Sequence, residues 1–157
     1  MVIRLLSEES VRSALNDFNS LIKLLEVHPK GEEVGSKTRA RTREILTYIW
    51  SGGLVPTLTF YLAKGEENNI KIVKGAFEGE EKLVGEPEKL AYAIIFYLTF
   101  KRLKQLSFIS SDLGDPRSCL HELIEMDPFK RMYAFNLLTS YLLEFKKLCE
   151  ATFKPER

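Results

Sequence analysis

The sequence predicts an all-α protein, a single-domain bundle of about six helices over residues 1–157. A short irregular or hairpin insertion is expected around residues 65–87. Three observations carry this. Apolar residues recur at three- and four-residue spacing over most of the chain. Proline and glycine punctuate it where helices should start and stop. The 157 residues, 45% of them apolar and 29% charged, have ordinary globular composition and the length of one domain.

The first helix is read over Ser7 to His28, on Val11, Leu15, Phe18, Leu21, Ile22 and Leu25. Ser7 is the expected N-cap, with Glu8 and Glu9 suited to the positive helix start. Pro29 should end it, because the residue before proline avoids the helical region. A polar loop over 30–35 follows. Ser36 is expected to cap a second helix running to Ser51, with Ile45, Leu46, Ile49 and Trp50 as its apolar stripe. Gly52 and Gly53 stop it. Pro56 suits the first turn of a third helix that Gly65 ends.

Residues 65–87 change character. Gly65, Gly75, Gly79 and Gly85 interrupt a run rich in Glu and Lys. The stretch at 70–73 reads as a short strand, hairpinned near 82–84, or as part of a mobile insertion. Pro87 opens a strongly apolar helix to about Ser107. Asp115-Pro116 and Asp127-Pro128 repeat one signature, a carboxylate cap followed by proline at the first helical position. They open a short helix ending near Met126 and a long one reaching Phe153.

The longest apolar run, residues 91–100, is half of what a membrane-spanning helix needs. The start has no signal-peptide pattern. Cys119 and Cys149 lie among helical apolar residues, which predicts packed thiols in a reducing cytoplasm. His28 and His121 are too few for usual metal or triad arrangements. No phosphate-loop or nucleophile-elbow pattern is present. The expectation is no catalytic residue, no metal and no cofactor.

The formal net charge is +1, which gives no sign of a nucleic-acid partner. By segment it is uneven: −2 over 1–35, +4 over 36–64, −3 over 65–90, 0 over 91–126 and +2 over 127–157. The sharpest feature is Lys37, Arg39, Arg41 and Arg43, with no acid among them. Like charges four apart, near a helix start, weaken the helix locally. Contact with phosphates would explain them, as would pairing with the acidic insertion or a solvated face. Lys130 and Arg131 are also unfavourable in a first turn. Lys146 and Lys147 lie late in their helix, where the dipole favours them.

Residues 41–65, RTREILTYIWSGGLVPTLTFYLAKG, resemble part of the small helical subunit of the type III-B CRISPR RNA-guided effector, the Cmr complex. In that family a basic helix leads into a short turn, here Gly52-Gly53-Leu54, and then a helix with a Leu-x-Phe, here Leu58 and Phe60. Residues 130–153 resemble the family's last helix, with basic pairs at Lys130-Arg131 and Lys146-Lys147. The sequence departs from the family at Gly52, where asparagine is frequent, and at Leu46, where proline is expected.

The resemblance implies a non-catalytic, all-helical subunit, with copies lined up along backbone subunits that hold guide RNA. Its basic face would contact the backbone of target RNA or of the guide–target duplex, without reading bases. The residues expected to do so are Lys37, Arg39, Arg41, Arg43, Lys130, Arg131, Lys146 and Lys147. Expected partners are RNA, the other Cmr subunits and neighbouring copies of the chain, with no membrane. The competing expectation is a helical module whose basic helix docks an acidic protein surface. A thiol enzyme built on Cys119 or Cys149 is the third.

Overall fold

A computed structural model describes the backbone from residue 2 to residue 157 and side chains from residue 7. Seven helices follow one another: α1 (Val2–Glu26), α2 (Gly31–Gly52), α3 (Leu54–Gly65), α4 (Glu67–Phe77), α5 (Pro87–Gln105), α6 (Pro116–Ile124) and α7 (Pro128–Thr152). No strand occurs among the described residues. The all-α expectation holds, with one helix more than expected.

That extra helix is α4. The insertion expected around residues 65–87 is not a hairpin: its first half is helical, and only residues 78–86 form a loop. Ile70, Val73 and Ala76 recur every third residue and are buried, which turns this short helix onto α5. Gly75 sits inside α4 because the returning loop crosses there. A Cβ on it would lie 2.5 Å from Oε1 of Glu81. Leu83, 2% exposed, anchors the loop in the core.

Two helix starts differ from expectation. Ser7 lies inside α1 and caps nothing. Ser36 lies inside α2, which begins at Gly31, so the loop expected over 30–35 is mostly helix. Glu32 and Glu33 occupy the first turn of α2 and suit its dipole, although Lys30 at the cap position provides no side-chain bond.

The stops and the proline-led starts match. Gly53 takes φ 94°, a left-handed conformation that glycine adopts freely, and separates α2 from α3. α3 ends at Gly65 for another reason. Gly65 is needed for close approach, since a Cβ there would stand 2.9 Å from the Ala93 backbone nitrogen. The positive φ falls on the next residue, Glu66, at 72°. Glu86 caps α5 by accepting bonds from the Glu88 and Lys89 N–H groups. Asp115 caps α6 through Ser118 N, and Asp127 caps α7 through Lys130 N.

α5 is the axis of the bundle. Residues 91–100 are all buried, and α2, α3 and α4 pack around the helix. A helix apolar on every side requires such a position. α1 packs chiefly on α7, α7 also packs on α2 and α5, and α6 packs on α3. Cys119 and Cys149 are buried and free.

Candidate nucleic-acid interface

All eight residues expected to contact RNA lie on α2 and α7, which pack against each other. The two helices run antiparallel. At one end Trp50, near the end of α2, meets Phe135, near the start of α7, with ring centroids 5.5 Å apart. At the other end Gly35 of α2 packs on the ring of Phe153, just beyond α7.

The cations of the two helices have different surroundings. Arg41 is 8% exposed. Its Nη1 donates to the Tyr92 hydroxyl, and its Nη2 lies 3.2 Å from both Glu44 and Glu156. Its guanidinium also sits 4.8 Å above the Tyr92 ring. Burial alone would lower its pKa, but Glu44, Tyr92 and Glu156 offset this and leave it raised. Burial likewise raises the Glu44 carboxyl, and the Arg41 charge only partly opposes it. Tyr61 completes the cluster by donating to the Arg41 carbonyl at 2.8 Å.

Arg39 and Lys37 serve the same end. Arg39 Nη1 donates to the Phe153 carbonyl at 2.8 Å, and Lys37 lies 3.8 Å from Glu156. The ring of Phe153 also packs on Phe18, with centroids 5.5 Å apart. Three of the four cations of the α2 run therefore hold the C-terminal segment 153–157. The sequence suggested the acidic insertion as their protein partner. The main acid is instead Glu156, 115 residues from Arg41. The insertion's Glu66 and Glu67 pair with Lys89 and Arg117.

The remaining five stand differently. Arg43 is exposed and forms no ion pair among the described residues. Lys130 is exposed, likewise without an ion pair. Arg131 donates to the Ile124 carbonyl at 3.2 Å, closing the end of α6. Lys146 and Lys147 pair along their own helix with Glu150 at 3.7 Å and Glu144 at 3.0 Å. Pairs of this kind at a surface are worth about 0.3–0.5 kcal/mol, so a phosphate can displace them. The enclosed cluster at Arg41 offers no such exchange.

The sequence missed the exposed aromatics of the two helices. Trp50 was expected in the buried stripe of α2. Ile45, Leu46 and Ile49 are buried, but Trp50 is 73% exposed. Phe129 and Met132 on α7 are also exposed. The available signal was the helical angle: Trp50 falls in line with Arg43 and Thr47, at spacings of four and three.

The thiols carry no sign of reactivity. Burial pushes both Cys119 and Cys149 up to about 12. No group of three or more His, Cys, Asp or Glu able to hold a metal occurs among the described residues. No helix there is long and apolar enough to cross a membrane.

No family model matches the chain. The chain is 24% identical over 154 residues to the CRISPR system CMR subunit Cmr5 of Saccharolobus solfataricus, covering 92% of this chain and 93% of that protein. Its fold matches a chain of the type III-B Cmr-beta complex solved by cryo-EM with cognate target RNA and AMPPnP. The TM-score is 0.75 at 20% identity, over 95% of this chain and 99% of the other. A chain of the type III-B Cmr-beta complex bound to non-cognate target RNA matches with the same TM-score, 0.75, over 94% and 97%. The resemblance drawn from residues 41–65 and 130–153 thus extends along nearly the whole chain, which is similar in sequence to Cmr5 and in fold to a chain of the type III-B Cmr-beta complex.

Proposed function

We propose that the protein is a non-catalytic structural subunit of a type III-B CRISPR effector, placed beside the guide–target RNA channel in antiviral defence. The observation that supports this most is end-to-end likeness to Cmr5 in sequence, joined to the same fold in Cmr complexes. Its partners are the other Cmr subunits, neighbouring copies of itself and RNA. RNA is held through its backbone, since base pairing with the guide supplies sequence specificity.

On this reading the RNA-contacting set is smaller than the eight cations. Arg43, Lys130, Lys146 and Lys147 have side chains that phosphates can reach. Lys37, Arg39 and Arg131 contribute only where their present bonds are exchanged. Arg41 holds the fold and the C-terminal segment. If about four phosphates are neutralised, log affinity for single-stranded RNA falls with log salt at a slope near −3.

The test is RNA binding by the full chain, alone and assembled with the backbone subunits, for wild type and for Arg43, Lys130, Lys146 and Lys147 replaced by Glu. The expected result is loss of binding and of the salt slope, with an unchanged helical spectrum. A flat salt dependence, or unchanged binding by the variant, overturns the RNA role. Assembly that survives nuclease treatment without RNA crosslinks to either helix would support the alternative, a helical module docked on an acidic protein surface.

A further inference from the structure

The end of α2 and the start of α7 hold a group of side chains that neither the fold nor phosphate contact explains. Phe129 is 80% exposed, Trp50 73% and Met132 59%. Phe129 makes no ring contact with another described aromatic, and the cap formed by Asp127 and Pro128 needs no aromatic after it. At 100° per residue, Phe129, Met132 and Phe135 wind around α7 in equal steps toward Trp50. Trp50 meets Phe135 edge to face, at 86° between planes. An edge-on contact leaves broad indole surface uncovered.

Charge decides what fits this surface. Most cations on the two helices are bound to an acid or a carbonyl within the molecule. The two that are not, Arg43 and Lys130, lie one on each of the helices that carry the exposed aromatics. Arg43 lies two turns before Trp50 on the same edge of α2, about 10 Å along the axis. Exposed Thr47 lies between them. Lys130 adjoins Phe129 at the other side. A purely apolar partner would leave both cations unanswered. A polyanion whose units each carry a flat aromatic face answers both features, and single-stranded nucleic acid is that chemistry.

We infer that Trp50 and Phe129 are stacking platforms for unpaired bases of an RNA strand whose phosphates lie on Arg43 and Lys130. This rests on the RNA contact proposed above and adds to it a preference for unpaired over duplex RNA, because paired bases have no free faces. The stacking is indifferent to base identity, since every base has a π-face.

Trp50 is the sole tryptophan, so intrinsic fluorescence reports directly on the proposed contact. The experiment titrates the full chain with an unstructured oligouridylate and with an RNA duplex. It follows tryptophan emission and the anisotropy of labelled RNA, for wild type, Trp50→Ala and Phe129→Ala. The single strand is expected to quench Trp50. Each variant should bind the single strand about tenfold more weakly and bind duplex as before. Circular dichroism should stay unchanged, because both side chains are already exposed. Single-strand binding without quenching, at wild-type affinity in both variants, overturns the stacking and leaves the phosphate contact standing. No binding of either RNA overturns both. Variants that keep RNA binding but lose self-association by sedimentation make the patch a protein interface and also overturn the inference.

Discussion

The two ends of the α2–α7 pair contain similar residues and do opposite things. Around Arg41, three cations close on Glu156 and the Phe153 carbonyl, and the guanidinium is buried beneath Tyr92. Around Trp50, Arg43 has no ion pair among the described residues, and the indole, met edge-on by Phe135, stands largely in solvent. A basic run in a sequence gives the number of charges. It does not say how many remain at the surface after folding. Here one run of four divides three to one, and the single remaining charge lies two turns before the exposed tryptophan on the same edge of α2.

Single substitutions can break or sharpen that contrast. The largest effect is expected from Arg41→Ala, which strands Glu44, Glu156 and the Tyr92 hydroxyl. It should cost about 3 kcal/mol in urea unfolding. Arg43→Ala, two residues away, should stay within about 0.5 kcal/mol of wild type. Equal losses would mean the two ends are not distinct. Next is Gly35→Ala. Its Cβ would lie 2.5 Å from the Phe153 ring, which is confined between α2 and Phe18. Overpacking should cost about 2 kcal/mol and release the C-terminal segment to carboxypeptidase. At the opposite end, Phe129→Ala should shift the thermal midpoint little.

The smallest effect is one of pH. Glu44 has a raised pKa, so its contribution is fully present below the ordinary Glu value of 4.5 and is lost as pH rises through its own higher value. Glu122 behaves in the opposite way. Burial would raise it, but bonds from Ser110 and Ser111 hold it below 4.5. Its contribution is complete above that value and is lost as pH falls through the lowered one. Amide exchange should show residues 110–111 loosening in acid, and Glu122→Gln should abolish that response.

Much of the fold was legible because its signals are local. Glu86, Asp115 and Asp127 each cap a helix whose next residue is proline, and Gly53 stops α2 where a left-handed residue is required. α4 was not legible. Its glycines suggested a loop, but Gly75 reflects the close approach of Glu81, which depends on a contact outside its own helix. Ser7 and Ser36 carry the chemistry of a cap but lie inside helices; upstream of Ser36 the turn is anchored by buried Val34. The site was legible as a set of charges on α2 and α7. The division of those charges was not, because Glu156 reaches Arg41 across 115 residues and nothing near either residue announces it.

The enclosed stretch 91–100 of α5 has a consequence for motion. No neighbouring helix can leave it without exposing a wholly apolar surface, so its amides should exchange only when the entire chain unfolds. Opening at lower cost is confined to segments outside that wrapping: the loop over 78–86, the loop leading into α6, and the C-terminal segment. Any rearrangement that accompanies incorporation into a larger particle must then occur at the periphery, around an interior that behaves as one rigid unit.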